Sequence, residues 1–484
     1  MADFSFKLRS NLSQKIFLGS GLALVFCAPL WAENRTAYNL ELIQKGQYLA
    51  TAADCMACHT SPNSRPFSGG VTIVSPMGNI ISTNITPDAD TGIGHYSEAD
   101  FSRALRQGIR KDGSHLYPAM PYTAYAKLSD GDIHALYSYF MQGVAPVFHK
   151  NNKTRLTFPF NIRALMMGWN ILFLSDKPSK IDFDHLQGLD KGRYLADTLE
   201  HCGTCHSPRN IFMAEKKKAY LGGSPLSGWY APNITASFNS GIGRWREEEL
   251  FQYLKTGSLP GKARAADGMG EAVTNSLSKL SDSDLHALAA YIKQVPPLEN
   301  NKTALRPRDQ YGEEKDSIDI RTGKTEIVGQ TPPLNGQALY SNNCASCHGE
   351  NGGGSPDQHI PSLYNNTTTG AERPDNLVMT ILNGVQRKTN GYEVFMPSFG
   401  KASMVQSLSD EEIARLANYV TGSFGSGDHH LTAANIKTAR QGGEKPFLMR
   451  YLYSLMLGGI LLVIAFLALF FRIYRKNKEK KAIH

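Results

Sequence analysis

Three copies of the five-residue pattern C-x-x-C-H constrain this chain more than any other feature. They occupy residues 55–59, 202–206 and 344–348, and they use six of the seven cysteines, leaving only Cys27. The first cysteines of successive copies lie 147 and 142 residues apart. A chain of 484 residues has room for several domains of about 100–200 residues, so the spacing predicts three copies of one folding unit.

The sequence around each motif repeats as well. Related segments precede the motifs at residues 45–50, 191–196 and 336–340, and a Leu-Ser-Asp triplet begins at residues 128, 280 and 408. Each triplet opens an amphipathic run with apolar residues at helical spacing, and its Ser or Asp predicts the helix N-cap. The pattern predicts a mainly α fold of three tandem c-type cytochrome domains, at residues 40–145 (first repeat), 188–297 (second repeat) and 334–424 (third repeat).

The first two repeats also share a tripeptide that the third repeat lacks. Asn-Ile-Thr begins at Asn84 and again at Asn233, and Gly-Ile-Gly follows at residues 92 and 241. The linker after the first repeat contains an apolar patch at residues 165–174 that is too short to span a bilayer. We expect that patch to pack against neighbouring domains or a partner subunit.

The spacing within each motif has a chemical reason. Two thiols on one short helical turn reach the two vinyl groups of a haem, and the adjoining histidine supplies a nitrogen ligand to its iron. The motifs therefore predict three covalently bound c-type haems. The predicted attachment and proximal-ligand residues are Cys55, Cys58, His59, Cys202, Cys205, His206, Cys344, Cys347 and His348.

A single C-x-x-C-H is also compatible with a redox dithiol or with half of a zinc site. A structural zinc site needs four ligands, and the remaining residues do not pair up to supply them. A thioredoxin-like motif follows a strand in an α/β pattern, which this sequence lacks. Three motifs in an exported chain with no unmatched mature cysteine favour haem.

A methionine downstream of each motif is the predicted distal ligand. Met120 and Met396 lie 65 and 52 residues after the first cysteine of their motifs, and proline follows each directly. Thioether sulfur suits haem iron, and the proline keeps the loop extended and stiff. Met269 has a similar spacing in the second repeat but no proline. A core methionine is the alternative at all three positions, and His115 and His359 are rival ligands.

Both ends of the chain are apolar. Residues 1–32 predict a secretory signal with cleavage after Ala32, an uncleaved anchor being the alternative. Residues 451–471 are 21 residues without a charge, about 31 Å as a helix, which predicts a transmembrane helix rather than a buried core helix. Basic residues dominate the tail at 472–484, so the positive-inside rule places this tail in the cytoplasm and the body of the chain outside.

The charge of the chain is concentrated at these ends. The formal net charge is +8, of which the first 32 residues carry +2 and the last 13 carry +5. The remaining +1 gives the body no general electrostatic basis for binding nucleic acid.

Irons with both axial positions filled pass electrons but bind no substrate. No G-x-G-x-x-G follows a predicted strand, so the sequence predicts neither a flavin nor a nicotinamide site, and we expect no catalytic residues in this chain. These features predict three redox centres in series, tethered to a bilayer by one helix.

The repeats, the segment Tyr117–Tyr122 and the linker segment Gly168–Asn170 resemble the triple-haem cytochrome c subunit of bacterial membrane-bound dehydrogenases. That family serves alcohol, gluconate, sorbitol and fructose dehydrogenases, and the resemblance covers roughly residues 40–424. It implies a separate catalytic subunit that carries FAD or PQQ, with or without a small third subunit, and electron delivery to ubiquinone in the bacterial inner membrane. It also implies that the haem domains are periplasmic, and that the nine motif residues and three methionines named above bind the haems.

Two other functions are compatible with the same motifs. The chain could be a cytochrome subunit that feeds a terminal oxidase, and oxygen consumption would then depend on it without a sugar or alcohol dehydrogenase. A haem enzyme such as a peroxidase is the third hypothesis; it requires an open iron and therefore carbon monoxide binding at one haem.

Overall fold

The computed structural model describes residues 30–482, except 176, 300–305, 315–333, 390–391 and 428. Most of the predicted signal peptide therefore lies outside the described residues. The chain divides into two compact units, residues 1–41 and 42–484. The described part of the first unit is the beginning of helix α1 (Leu30–Ala52), and the second unit contains all three motifs.

The first repeat and the linker after it are mainly helical. A π-helical turn at Tyr139–Gly143 extends the last helix of the repeat. The elements after α1 are α2 (Cys55–His59), β1 (Thr72–Ser75), β2 (Gly78–Ile81), α3 (Glu98–Gln107), α4 (Tyr122–Tyr125), α5 (Asp130–Ser138), β3 (Arg155–Leu156) and α6 (Leu165–Phe173). The three strands form one antiparallel sheet in sequence order.

The second repeat has the same kind of helices and two small antiparallel hairpins, β4 with β5 and β6 with β7. Its elements are α7 (Gly188–Tyr194), α8 (Gly203–His206), β4 (Ser224–Leu226), β5 (Trp229–Ala231), α9 (Glu247–Thr256), β6 (Ser258–Leu259), β7 (Ala263–Arg264), α10 (Asp267–Asn275) and α11 (Asp282–Lys293).

The third repeat carries the longest hairpin, in which Val385 faces Met396 at the open end. Its elements and those that follow are α12 (Gly336–Asn343), α13 (Ala345–His348), α14 (Asp375–Asn383), β8 (Val385–Thr389), β9 (Tyr392–Met396), α15 (Asp410–Phe424), α16 (Ala433–Arg440) and α17 (Phe447–Ala482).

The predicted N-caps of the last helices are confirmed. The side chains of Ser129, Ser281 and Ser409 accept hydrogen bonds from backbone N–H groups one turn into α5, α11 and α15. Each cap satisfies one of the donors that a helix leaves open at its N-terminus.

One close helix contact recurs in all three repeats. A Cβ on Gly46, Gly192 or Gly336 would collide with a backbone carbonyl of the last helix of the same repeat. The carbonyls belong to Ala135, Ala287 and Arg415. Glycine is therefore required for the first and last helices to cross closely, and its recurrence supports a common fold for the repeats.

The first two repeats share one hydrophobic core. Buried side chains of both, including Leu49, Leu136, Leu195 and Leu285, form a single cluster, whereas the third repeat has its own cluster around Leu339 and Leu416. The prediction of three separate domains did not foresee this pairing.

The C-terminal helix is longer than the predicted transmembrane segment. Residues Phe447–Arg475 are 29 residues with a mean hydropathy of 2.7 over the most apolar window, and no residue of that window is buried. This exposure argues against a core helix. The helix continues to Ala482 because the Lys, Arg and Glu residues of the basic tail are good helix formers.

Candidate haem sites

Each C-x-x-C-H motif forms one short helical turn: α2, α8 or α13. Because residues three and four positions apart share a helix face, both cysteines and the histidine of a motif point to the same side. The residues directly before the first two motifs, Asp54 and His201, have φ of 47° and 38°. This left-handed backbone turns the chain sharply out of the preceding helix.

All three motif histidines make the same hydrogen bond. Their Nδ1 atoms lie 2.7–3.0 Å from a backbone carbonyl oxygen further along the chain. The pairs are His59 with Thr83, His206 with Pro232 and His348 with Pro361. Because a carbonyl only accepts, Nδ1 carries the proton in each ring, and Nε2 is left as the atom that can bind a metal.

Burial lowers the pKa of His59, His206 and His348 below the ordinary histidine value. The rings are therefore neutral at neutral pH, as a metal-binding imidazole must be.

In the first two repeats, the asparagine of the Asn-Ile-Thr tripeptide fixes the segment whose carbonyl accepts from the motif histidine. Asn84 directly follows Thr83, and its Oδ1 accepts from the backbone N–H and the hydroxyl of Thr86 at 2.9 and 2.8 Å. Its Nδ2 donates to the carbonyl of Val147 at 2.7 Å. Asn233, directly after Pro232, makes the equivalent bonds. The sequence shows the repeated tripeptide but not this role.

Burial makes five of the six motif thiols unsuited to dithiol exchange, because it raises their pKa values. Burial raises the pKa of Cys55 and Cys344 to about 12 and that of Cys58 to about 11. Redox dithiols need a lowered pKa because the thiolate is the nucleophile. Thioether attachment has no such requirement, so these cysteines fit haem c better than a thioredoxin-like centre.

The three predicted distal methionines stand on three different local structures. Met120 precedes α4, Met269 lies in the first turn of α10, and Met396 is the last residue of β9. Met396 has the extended backbone that its following proline predicts, but as the end of a hairpin strand rather than part of a loop; Met269, for which no stiff loop was predicted, is positioned by a helix. All three are half-buried and pack on the same core cluster as a cysteine of their own repeat: Cys55, Cys202 or Cys344.

A cavity of about 1230 Å³ brings the predicted groups of the second repeat together. Cys202, Cys205, His206 and Met269 all line it. This volume exceeds the roughly 300–1,000 Å³ of typical small-molecule pockets. Arg264 and Arg308 also line the wall, and their charge suits the propionate carboxylates of a haem. The donor set and the size of this cavity therefore fit haem c.

Comparison with known proteins agrees with this chemistry. The family model for cytochrome c matches residues 43–143 and 334–423. The chain is 44% identical to the fructose dehydrogenase cytochrome subunit of Gluconobacter japonicus, over 91% of this chain and 92% of the relative. It is 37% identical to the cytochrome c subunit of a quinone-dependent alcohol dehydrogenase from Gluconacetobacter polyoxogenes, over 83% and 85%.

A third relative is the gluconate 2-dehydrogenase cytochrome c subunit of Pantoea cypripedii, 37% identical over 83% of this chain and 90% of the relative. The chain belongs to the family of dehydrogenase cytochrome c subunits. Membership in this family implies covalently bound haem c, as the motifs predict, and the predicted family resemblance is confirmed.

In this cytochrome c subunit, Tyr125 connects the first two motifs. Its hydroxyl donates to the carbonyl of Ala53 at 2.9 Å, two residues before Cys55. Its ring meets the ring of His201, the residue before Cys202, edge-on at 5.7 Å. Tyr125 is 4% exposed, so the two motifs approach each other through a buried contact that the sequence did not indicate.

Helix α10 connects the second repeat to both others. This helix carries Met269 and contacts α2, the motif turn of the first repeat, as well as strand β8 of the third repeat. The hydroxyls of Thr274 on α10 and Thr389 on β8 lie 3.5 Å apart. The second repeat of the cytochrome c subunit therefore occupies the middle position.

His115 and His359, the two histidines that rival methionine as predicted distal ligands, make the following contacts. His115 pairs with Ile109 in an isolated antiparallel β-bridge. Its Nδ1 lies 3.5 Å from the side-chain amide nitrogen of Asn170 in the linker. The backbone N–H of His359 donates to Asp357 at 2.9 Å.

Proposed function

We propose that this chain is the electron-transfer and membrane-anchoring subunit of a periplasmic membrane-bound dehydrogenase. It relays electrons from a catalytic subunit that carries FAD or PQQ, through three c-type haems, to ubiquinone. The catalytic subunit oxidises an alcohol, a sugar or a gluconate, and a small third subunit completes the complex in some forms. The chain itself supplies no catalytic residue.

The observation that carries the proposal is the threefold recurrence of one histidine arrangement. His59, His206 and His348 each donate Nδ1–H to a backbone carbonyl from a motif turn. A carbonyl partner fixes both the tautomer and the orientation of a ligating imidazole. Its presence in the second repeat supports a haem there, in addition to the two regions that match the cytochrome c family.

Haem c, when bound, supplies a one-electron couple at its iron. The protein's contribution would be to hold that couple in place: the six motif cysteines would attach the groups, and His59, His206 and His348 would ligate through Nε2. Met120, Met269 and Met396 would be the second ligands. An iron held by a histidine and a methionine would supply electron transfer rather than substrate binding.

The apolar helix α17 supports the membrane assignment. Its exposed apolar stretch of 29 residues exceeds the roughly 20 residues that a bilayer core requires. The basic tail after it supports a cytoplasmic location of that end and a periplasmic location of the haem domains. A periplasmic location also suits the predicted export signal at residues 1–32, of which residues 1–29 lie outside the described residues.

The partner assignment rests on the relatives. Those named above are subunits of fructose, alcohol and gluconate dehydrogenases. A cytochrome subunit of a terminal oxidase remains the alternative function, and no specific observation in this chain favours it.

Intact-mass measurement of the purified full-length chain tests the haem count. We expect a mass that exceeds the polypeptide by three haems. Replacing Cys202 and Cys205 by alanine should remove one haem, and replacing either other cysteine pair should do the same. The matched control is Ser276→Ala, a substitution near the second site that leaves every thiol in place. Fewer than three haems on the unsubstituted chain would contradict the proposal.

Copurification tests the role in the complex. The chain, tagged at its C-terminus and purified from mild detergent, should bring down a flavin- or PQQ-containing dehydrogenase. Addition of that enzyme's substrate should reduce the haems, and a ubiquinone analogue should reoxidise them. The isolated chain should oxidise no substrate. Recovery with oxidase subunits instead would favour the alternative.

A further inference from the structure

Helix α6 presents an apolar surface to the outside of the molecule. Its residues Leu165, Met167, Ile171 and Leu172 are 50–77% exposed, and Phe212 beside them is 52% exposed. We call these five side chains the apolar ridge. The nine-residue helix contains no charged residue. The inner side of α6 packs on the first and second repeats through Trp169 and Phe173, as expected of this patch, but no described residue of the chain covers the ridge itself.

The polar groups of α6 are used on its inner side. The indole N–H of Trp169 donates to the carbonyl of Phe212 at 2.9 Å. Asn170 accepts from the hydroxyl of Tyr122 at 2.8 Å and donates to the carbonyl of Gln107 at 3.0 Å. The helix is thus fixed by hydrogen bonds to the protein, and its outer face offers no side-chain donor or acceptor.

The segment that contains the ridge is cationic, and we call its basic residues, together with Lys217, the cationic surround. Between residues 148 and 180 the sequence has six Lys or Arg and a single acidic residue. Lys153, Arg155, Lys177 and Lys180 are exposed. Lys217 reaches the C-terminal end of α6 from the second repeat, with its Nζ 3.3 Å from the hydroxyl of Ser175.

We propose that the apolar ridge is a second membrane contact of this chain, seated in the interface of a bilayer that contains anionic lipid. At about 1.5 Å per residue, α6 is about 13 Å long, so it lies in the plane of the membrane rather than across it. The lysines and arginines around it pair with anionic headgroups.

Three observations favour lipid over a protein partner. A protein interface carries roughly one hydrogen bond per 100–200 Å², and the ridge has no free polar side chain with which to make one. Charge complementarity is with an anionic surface, and α17 already gives the same chain a membrane-spanning helix. Because Trp169 and Asn170 on the inner side of α6 contact Tyr122, two residues after Met120, a ridge seated in the bilayer would hold the first haem site next to the membrane surface.

Site-specific photocrosslinking in native membranes tests this inference with the full chain in its complex. Benzoylphenylalanine replaces Ile171 in one variant, Leu462 of α17 in a second and the 62% exposed Val405 of the third repeat in a third. After irradiation, mass spectrometry identifies the adducts. We expect lipid adducts at positions 171 and 462 and none at 405.

The outcomes separate this inference from the proposed anchoring on which it rests. Lipid at 462 but not at 171 overturns the ridge contact alone, whether position 171 stays unreacted or attaches to the dehydrogenase subunit. No lipid at 462 overturns the anchoring itself. Lys177→Glu with Lys180→Glu should lower the lipid yield at 171 about tenfold without changing the yield at 462. An unchanged yield at 171 overturns the role of the cationic surround.

Discussion

The hydroxyl of Tyr194 in the second repeat donates a hydrogen bond to the carboxylate of Asp132 in the first repeat, at 2.8 Å. The reverse bond also exists, from Tyr48 of the first repeat to Asp284 of the second, at 2.5 Å. Both aspartates are almost fully buried, 0% and 4% exposed. Each of the first two repeats therefore supplies a tyrosine that donates to a buried aspartate of the other repeat, and the two contacts are related by pseudo-twofold symmetry. We call this reciprocal pair of contacts the tyrosine exchange.

Each exchange is completed by neighbouring groups. The two tyrosine hydroxyls accept from the backbone N–H groups of the cap residues Ser129 and Ser281, at 3.0 and 3.1 Å. Lys45 and Lys191 pair with the two aspartates at 3.1 and 3.0 Å. Sequence alignment of the repeats puts Asn335 and Ala338 at the lysine and tyrosine positions of the third repeat, which explains why only the first two repeats share a core.

Removing one exchanged hydroxyl should destabilise the chain. Tyr194→Phe or Tyr48→Phe removes a hydrogen bond to a buried carboxylate and leaves the cap residue's backbone N–H without its acceptor, so we expect the free energy of unfolding to fall by about 1–3 kcal/mol. Denaturant unfolding followed by circular dichroism measures it. Tyr364→Phe in the third repeat is the control, because this hydroxyl lies 3.5 Å from an exposed acceptor, Glu314 in the preceding linker. Equal losses in all three variants would contradict a special role for the exchange.

The same contact should make stability fall at alkaline pH. Burial and the hydrogen bond to Asp284 raise the pKa of Tyr48 to about 12, from about 10 in the unfolded chain. Between these values the folded state retains a proton that the unfolded state has lost, so the free energy of unfolding decreases as pH rises from 10 to 12. A pH series of unfolding curves checks this, and the slope should be smaller for Tyr48→Phe. An equal dependence of the free energy of unfolding on pH in Tyr48→Phe and in the unsubstituted chain would contradict this prediction.

Much of the fold could be predicted because local signals agree with it. Ser129, Ser281 and Ser409 were identifiable as caps from a serine ahead of an amphipathic run, and charge-free residues 451–471 indicated an apolar helix. The β8–β9 hairpin was not predicted, because five-residue strands with mixed side chains give a weak periodic signal. The shared core was not predictable either, since apolar helix positions that face a second repeat look like positions that face the same repeat.

The candidate site, like the fold, could be predicted from the sequence only in part. Spacing alone predicts the motif cysteines and His59, His206 and His348 as haem-binding residues, because the chemistry of attachment requires neighbours on one turn. The carbonyl partners could not be predicted, since every residue has a carbonyl and tertiary structure selects one. Tyr125 was missed for a similar reason: its two contacts join segments that are 72 and 76 residues away in the chain.

The Asn-Ile-Thr asparagines should act as positioning residues. Asn84→Ala removes the bonds that hold the segment carrying the Thr83 carbonyl, so we expect stability to fall by about 1–3 kcal/mol. The electron paramagnetic resonance signal of one haem should also shift, because His59 loses its fixed orientation. Asn84→Asp keeps the acceptor for Thr86 but loses the donor to the Val147 carbonyl, so it should restore that signal only in part. A purely structural role would lower stability in Asn84→Ala and leave all haem signals unchanged; the exposed Asn152→Ala controls for surface effects.

Because the first and last helices of a repeat cross closely at a glycine, adding a single methyl group there should lower the stability of the chain. Gly192→Ala places a Cβ against the carbonyl of Ala287, and we expect a loss of about 1–3 kcal/mol from overpacking. Gly168→Ala is the matched control, because a Cβ at this helical position in α6 meets no atom within 4 Å. That substitution should be neutral or stabilise by up to about 1 kcal/mol. Thermal unfolding of the two variants gives the comparison, and similar melting temperatures would argue against the crossing.

Met269 provides the most direct test of distal ligation, because a helix rather than a proline-stiffened loop positions it. Met269→Leu keeps the apolar volume and removes the sulfur, so the half-buried site should remain folded. We expect three haems by mass, with carbon monoxide binding to one of them in the reduced protein and to none in the unsubstituted chain. Met404→Leu, at a methionine that is 91% exposed, should leave the spectrum unchanged. If Met269→Leu also fails to bind carbon monoxide, Met269 is a core residue and another group completes the second site.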